Sequence, residues 1–182
     1  MMFYSHLKGH IEALLFAYGD PISADKLAEM LEIDRENVIL LVEELKRDMA
    51  SNQRGLKVAE VAGGYQLCTK PECTATIDKL INVQEFRLSM AAMETLSIIA
   101  FKQPITRMEI ENIRGVKVDS VVNTLLERGL IKEVGRKEAI GRPILFGTTS
   151  EFLKCFGLKT LEELPKLAEI INIEEIDNEE NI

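Results

Sequence analysis

The sequence contains little of what catalysis and metal binding usually require. Its 182 residues include no tryptophan, two histidines and three cysteines. Both histidines, His6 and His10, lie near the N-terminus, so they assemble no Ser-His-Asp or Cys-His set. The odd number of cysteines, Cys68, Cys73 and Cys155, gives no disulfide framework. No HExxH pattern or second pair of ligands is present either. We therefore expect a protein that is not an enzyme and that holds no metal and no cofactor.

Long apolar runs and sorting signals are also missing. No run approaches the roughly 18 uninterrupted apolar residues of a membrane helix. The N-terminal stretch MMFYSHLKGHIEALLF lacks the order of a signal peptide. The stretch GRKEAIGRP does not match the GxxxxGK[ST] pattern of a phosphate-binding loop. These absences predict a soluble cytoplasmic protein with no nucleotide site.

The composition that remains favours helices and carries an uneven charge. Apolar residues make up 46% and aromatic residues 5%, which favours a core of aliphatic side chains over an aromatic-rich β-sandwich. Of the net charge of −8, the segment from residue 168 onward carries −6 with no Lys or Arg, leaving −2 for the body. Such a body lacks the basic surface typical of DNA-binding proteins. The acidic tail beyond Leu167 is predicted to be disordered, with isoleucines that allow it to become ordered on binding.

One phrase occurs twice in the chain. Residues 20–33, DPISADKLAEMLEI, correspond to residues 103–116, QPITRMEIENIRGV, with the prolines 83 positions apart. In each copy the proline ends one helix, because it has no amide proton, and the hydroxyl residue two positions later caps the next helix. Thr106 and Glu109 predict a capping box in the second copy. The isoleucine after each proline is predicted to be buried beneath the turn.

Each half of the chain shows the same order of elements. Three helical segments are followed by a hairpin, around Gly63-Gly64 in the first half and Gly141 in the second. In the second helix of the first half Met30 is predicted to point inward, and in that of the second half Ile113 is. Three helices and a β-ribbon are the order of a winged helix, so we predict a mainly α, α+β fold of tandem winged-helix domains. The predicted segments are 1–82 (first domain with a connector helix), 83–158 (second domain) and 159–182 (short helix and acidic tail).

Two functions fit this architecture: a DNA-binding transcriptional regulator and an adaptor for protein assembly. A DNA reader presents Arg, Lys, Asn or Gln on its third helix. Residues 34–48, DRENVILLVEELKRD, instead carry three positive and five negative side chains. The segment also contains a run of five consecutive apolar residues, which is too wide for one core stripe. Ile39 or Leu40 is therefore predicted to face a protein partner. The sequence favours the adaptor.

The second half has one basic patch, on its predicted wing. Four cations, among them Arg136 and Arg142, stand against two glutamates there. They are either solvated surface charges or a site for an acidic partner helix or a weak phosphate contact. Arg107 and Arg114 are further candidates for partner binding, since the first copy has Ala24 and Leu31 at those positions.

The densest motifs resemble those of a known family. The run ETLSIIAFKQPITRMEIENIRGV, then LLERGLI and GRKEAIGRPILFGTTSEFLKCFGL, resembles the bacterial segregation and condensation protein B family. The first half, with IEALLFAYGDPIS, LAEMLEI and GYQLCTKPE, matches more loosely but in register. The resemblance covers about residues 7–160. Phe146 stands where the family more often has Tyr.

The resemblance implies a non-enzymatic, cytoplasmic, nucleoid-associated accessory subunit. Such proteins form a homodimer through the N-terminal winged helix, and the second winged helix is expected to bind the kleisin subunit, segregation and condensation protein A. The kleisin in turn bridges the heads of a structural maintenance of chromosomes ATPase dimer. The assembly condenses and partitions chromosomes at cell division. Because ATP hydrolysis would belong to that partner, the resemblance implies no catalytic residue and no cofactor in this chain, and DNA contact that is weak or indirect.

Overall fold

The computed structural model describes residues 4–80 and 88–165, which separate into two compact units. The first unit contains residues 4–80 together with Gly157–Thr160, and the second contains residues 88–156 together with 161–165. The end of the predicted connector and the acidic tail lie outside the described residues. Within the described ranges, no helix has the length and apolar content needed to cross a membrane.

The first unit follows the predicted order of three helices and a hairpin. Helix α2 begins after Ser23, whose hydroxyl accepts a hydrogen bond from the Lys26 amide as predicted. The two strands pair antiparallel, with Leu56 opposite Thr69. The elements are α1 (Lys8–Tyr18), α2 (Ala24–Leu31), α3 (Arg35–Met49), β1 (Leu56–Val61), β2 (Gly64–Thr69) and α4 (Thr74–Ile77), with 3-10 turns at Ser5–Leu7 and Pro71–Cys73.

The Pro-Ile phrase of the first unit anchors its hairpin. Ile22 is 2% exposed, as predicted, and forms a two-residue antiparallel bridge with Tyr65 through backbone bonds of 2.9 and 2.8 Å. A Cβ on Gly64 would lie 2.8 Å from the Ile22 carbonyl carbon and oxygen, so this close approach requires glycine. The turn itself consists of Ala62 and Gly63, both at positive φ, one residue earlier than the predicted Gly-Gly pair.

The core of the first unit lies between its helices and the hairpin. The prediction that Met30 points inward is wrong, since its side chain is 51% exposed. In a helix of only eight residues the inward stripe runs through Ala24, Leu27 and Leu31, which leaves Met30 outside it. The buried apolar residues are Ile11, Leu15, Ile22, Ala24, Leu27, Val38, Leu41, Val42, Leu45, Met49, Val58, Val61 and Tyr65.

The second unit repeats this order, and its Pro-Ile phrase forms a short strand. The sheet order is β3-β5-β4, with Ile105 paired to Phe146. The predicted capping box is present, and Gly115 ends its helix at a φ of 71°. The elements are α5 (Met90–Lys102), β3 (Ile105–Thr106), α6 (Arg107–Arg114), α7 (Asp119–Glu127), β4 (Ile131–Arg136), β5 (Ile144–Thr148) and α8 (Ser150–Phe156), with a 3-10 turn at Leu161–Glu163.

The second core excludes Ile113, which was predicted to be buried but is 54% exposed. The inward row runs from the cap residue Thr106 through Ile110 and Arg114 of α6, at i, i+4 and i+8, so position 113 falls beside it. Ile105 is 4% exposed, as predicted for the residue beneath the turn. Both units are winged helices, which confirms the predicted fold class. The buried apolar residues are Ala92, Leu96, Ile99, Ala100, Ile105, Ile110, Val118, Val122, Leu125, Leu130, Ile131, Phe146 and Phe152.

Candidate partner-binding surfaces

The outer face of α3 combines an exposed leucine with side chains of both charges. Leu40 is 49% exposed, whereas Ile39 is half-buried and packs against the core of the first unit. Leu40 therefore accounts for the extra width of the apolar run 38–42, because it is the residue of the run that lies outside the core stripe. Of the two residues predicted to face outward, Leu40 is the more exposed, and the predicted contact of either with a partner is not tested by its exposure.

The three cations of α3 all have partners within the first unit. Arg35 Nε lies 3.2 Å from an Asp25 carboxylate oxygen, and Lys46 Nζ lies 2.6 Å from Glu43 Oε1. Arg47 Nε donates to the Glu43 carbonyl oxygen at 3.3 Å. A helix whose cations are already engaged by neighbouring carboxylates and a backbone carbonyl is poorly suited to neutralise phosphates. This arrangement speaks against DNA reading by α3.

Helix α1 also exposes large side chains, and two of these are aromatic. Phe16 is 75% and Tyr18 is 53% exposed, and Lys26 Nζ lies 5.1 Å from the centroid of the Tyr18 ring. The sequence reasoning missed Phe16. The available signal was its position off the Ile11 and Leu15 stripe, because an aromatic residue outside the core stripe of a helix must be covered by something else or remain in water.

Arg114 and Arg107 hold α6 to its neighbours. Arg114 Nη2 lies 2.7 Å from Glu94 Oε2 and its Nη1 donates to Thr95 Oγ1 at 3.0 Å. The Arg114 side chain is 11% exposed, so most of it is engaged inside the unit. Arg107 forms an ion pair with Asp119 at the start of α7. Both contacts give these arginines a structural role, and neither contact tests the predicted role in partner binding.

Arg136 and Arg142 lie together on the second wing, the β4–β5 hairpin. Arg136 Nη1 donates to the Arg142 carbonyl oxygen at 3.2 Å, and both residues are exposed. Arg142 has a φ of 42° and its amide donates to the Ala139 carbonyl. The structure thus brings the side chain of Arg136 to the backbone of Arg142 at the end of the hairpin.

A charged contact fixes this wing to α6. Lys137 Nζ lies 2.5 Å from Glu109 Oε1. Lys137, together with the Thr106 hydroxyl and amide that donate to the same carboxylate, lowers the pKa of Glu109 from 4.5 to about 2. Glu109 therefore joins the capping box of α6 to the wing and remains ionised under ordinary conditions.

An apolar groove lies beside the wing. This wing groove has a volume of about 390 Å³. One of its walls is fixed by Gln103, whose Oε1 accepts from the Thr148 amide at 2.8 Å and from its hydroxyl at 3.1 Å. The Gln103 amide nitrogen donates to the Ala100 carbonyl at 3.1 Å. The groove is lined by Gln103, Pro104, Val134, Leu145, Gly147 and Leu161.

Metal binding finds no support in the described residues. Within residues 4–80 and 88–165, no group of three His, Cys, Asp or Glu side chains is arranged to hold an ion. Burial raises the pKa of the Cys68 and Cys155 thiols, which keeps them protonated and weakly nucleophilic.

Comparisons with known proteins show similarity to one family. A family model described as segregation and condensation complex subunit ScpB matches residues 9–167. The chain is 50% identical to a segregation and condensation protein B of Moorella thermoacetica, over 98% of this chain and 92% of that protein. It is 51% identical to the protein of that name from Symbiobacterium thermophilum, over 90% and 75% respectively. A solved structure described as a dimer of the ScpB N-terminal domain complexed with ScpA peptide is 34% identical, covers 43% of this chain and 98% of that chain, and has a TM-score of 0.42.

Proposed function

The chain belongs to the segregation and condensation protein B family, and on that basis we propose that it is a non-enzymatic adaptor subunit of a bacterial condensin-like complex. In this role it dimerises and binds the kleisin, which connects it to a structural maintenance of chromosomes ATPase in the cytoplasm and on the nucleoid. The observation that carries the proposal is the 50% identity to a named family member over nearly the whole chain.

The first unit (residues 1–82 in the predicted division) is proposed to form the homodimer. Phe16, Tyr18 and Leu40 expose large apolar side chains on α1 and α3, and a protein contact that covered them would remove apolar surface from water. Because the cations of α3 are held by neighbouring acidic groups and a carbonyl, this unit fits a protein contact better than a phosphate backbone.

Light scattering on Phe16→Glu and Leu40→Glu variants tests the dimer. A charge placed in a buried apolar contact costs several kcal/mol, so each variant should be monomeric where the unchanged chain is a dimer. Asn52→Glu, which adds the same charge at another exposed position, is the matched control and should remain a dimer. If both variants stay dimeric, the contact lies elsewhere on the protein.

The second unit (residues 83–158 in the predicted division) is proposed to receive the kleisin in its wing groove. Val134, Leu145 and Pro104 supply an apolar wall, and Arg136 and Arg142 supply positive charge on the adjoining wing. An amphipathic helix with an acidic edge fits such a groove, because its apolar side chains fill the depression while its carboxylates meet the rim. Two copies of the wing in one dimer would then hold one kleisin bivalently.

The double variant Arg136→Glu/Arg142→Glu tests this assignment. Reversing two rim charges should weaken binding to a middle segment of the kleisin by about tenfold, or roughly 1.4 kcal/mol. The melting temperature should not change, since both side chains are exposed. Calorimetric titration supplies the measurement, with Arg54→Glu in the first unit as the control. An unchanged affinity would return both arginines to ordinary solvated charges.

A further inference from the structure

The second wing has an open edge that is both apolar and basic. Strand β4 lies at the edge of the three-stranded sheet, and five of its six residues are exposed. Val134 is 46% exposed, while Lys132 and Arg136 add positive charge on either side of it. The ladder to β5 is interrupted by a bulge between Glu133 and Gly135. Because a bulge and charged side chains disfavour backbone pairing at a strand edge, a segment bound here would contact the exposed side chains of β4 and the adjoining wing groove.

The chain itself returns to this place before its described part ends. Leu161, which follows α8, lines the wing groove beside Val134 and Leu145. The described residues end at Pro165, still within the second unit. The next 17 residues can extend for at most about 60 Å, which is about three times the length of the six-residue strand β4. Residue 168 follows Leu161 by only seven positions, so the acidic tail has the reach to lie along the wing.

The tail has a composition that complements the wing. Its sequence from residue 166 is KLAEIINIEEIDNEENI, in which isoleucines alternate with blocks of carboxylates. Six acidic residues and no cations follow residue 167, opposite a wing whose net charge is +2. Isoleucine is also among the residues most favoured in strands. The tail thus offers apolar side chains to the Val134 surface and carboxylates to Arg136 and Arg142.

We propose that residues 168–182 dock on the basic edge of the wing of the same chain, along β4 and the wing groove. Tethering makes this contact intramolecular, with an effective concentration on the order of millimolar for a short flexible link. The tether favours the chain's own tail over a free acidic protein or a nucleic acid of similar affinity. In consequence, and only if the proposed function holds, the tail competes with the kleisin for the wing.

Amide resonances of the full-length protein provide the test, with no partner added. The comparison is between the unchanged chain and a tail-neutralised variant, in which every Asp and Glu from residue 169 onward is replaced by Asn or Gln. The backbone amides of β4 and β5 should differ in chemical shift between the two proteins at 0.01 M salt. This difference should vanish at 1 M salt, because the Debye length falls from about 30 Å to about 3 Å.

Two controls test whether the two arginines hold the tail and whether the tail that binds belongs to the same chain or to a second copy. In an Arg136→Glu/Arg142→Glu background, neutralising the tail should leave the β4 and β5 amides unmoved. When the labelled tail-neutralised chain is mixed with unlabelled unchanged chain, its wing resonances should also stay where they are. Their movement in the mixture would mean that the tail of a second copy binds, which contradicts the proposal. Equal shifts in the two proteins, or differences confined to other surfaces, would contradict it as well.

Discussion

Replacing Glu109 by Gln should destabilise the second unit by a small amount that depends on pH. The substitution keeps an oxygen that can accept from the Thr106 amide, but it removes the charge that faces Lys137 at 2.5 Å. A carboxyl whose pKa falls from 4.5 to about 2 on folding would stabilise the folded state at neutral pH by at most about 3 kcal/mol. Because the Glu109 side chain is 40% exposed, solvent screening reduces this to about 1 kcal/mol.

The sign of the pH dependence follows from the direction of the shift. The pKa of Glu109 is lower in the folded than in the unfolded state, so the stabilisation is fully present above pH 4.5. It is lost as the pH falls from 4.5 toward 2. The difference in unfolding free energy between the unchanged protein and Glu109→Gln should therefore be about 1 kcal/mol at pH 7, and less than half of that should remain at pH 3.

Urea unfolding followed through amide resonances of Ile110 and Val122 measures this difference within the second unit alone. Lys137→Met should remove the same stabilisation, and the double variant should lose little more than either single variant, which is the signature of a coupled pair. An equal difference at pH 7 and pH 3 would show that the charge of Glu109 is not the source. Additive losses in the double variant would refute the contact with Lys137.

Two further predictions concern close contacts within the units. Gly64→Ala should destabilise the first unit by about 1–3 kcal/mol, because its Cβ would meet the Ile22 backbone at 2.8 Å. The control variant Gly55→Ala should be nearly neutral. Equal melting temperatures for the two variants would contradict the prediction. Arg114→Leu should cost about 1–3 kcal/mol in urea unfolding of the second unit, through the lost bonds to Glu94 and Thr95. A variant as stable as the unchanged chain would contradict the structural role of Arg114.

The sequence was most informative where structure depends on near neighbours. Proline, a following isoleucine and a hydroxyl residue specify a helix end, a buried residue and a cap within five positions. The structure accordingly has Ile22 and Ile105 buried, and Ser23 and Thr106 as caps. The capping box needed only the spacing of Thr106 and Glu109.

Contacts between residues far apart in the chain were beyond reach of the sequence. Gln103 appears in the sequence as a polar residue before proline, yet it holds Thr148 of β5 through two hydrogen bonds. Arg114 stood out as a partner-binding candidate, but Glu94 and Thr95 of α5 enclose most of it. Periodicity is also a weak guide in helices of eight residues, where one extra position decides which row faces inward. That ambiguity accounts for Met30 and Ile113.

For the candidate site, the sequence indicated the kind of surface more reliably than its residues. The paired exposure of Arg136 and Arg142 follows from their position on a hairpin, which the pattern predicted. The wing groove does not follow from the pattern, since it forms where Pro104, Val134 and Leu161, which are far apart in the sequence, come together. The division at residues 82/83 and 158/159 and the roles of Ile39, Leu40, Arg107, Arg114, Arg136 and Arg142 stay predictions.

The adaptor function is tested most directly by the mass of the complex with the kleisin of the same organism. Light scattering on the co-purified proteins should give two copies of this 20.5 kDa chain for each kleisin, and the chain alone should run as a dimer. A 1:1 complex would contradict bivalent capture by a homodimer. A chain that failed to bind the kleisin and instead protected a defined duplex site at physiological salt would contradict the adaptor account altogether.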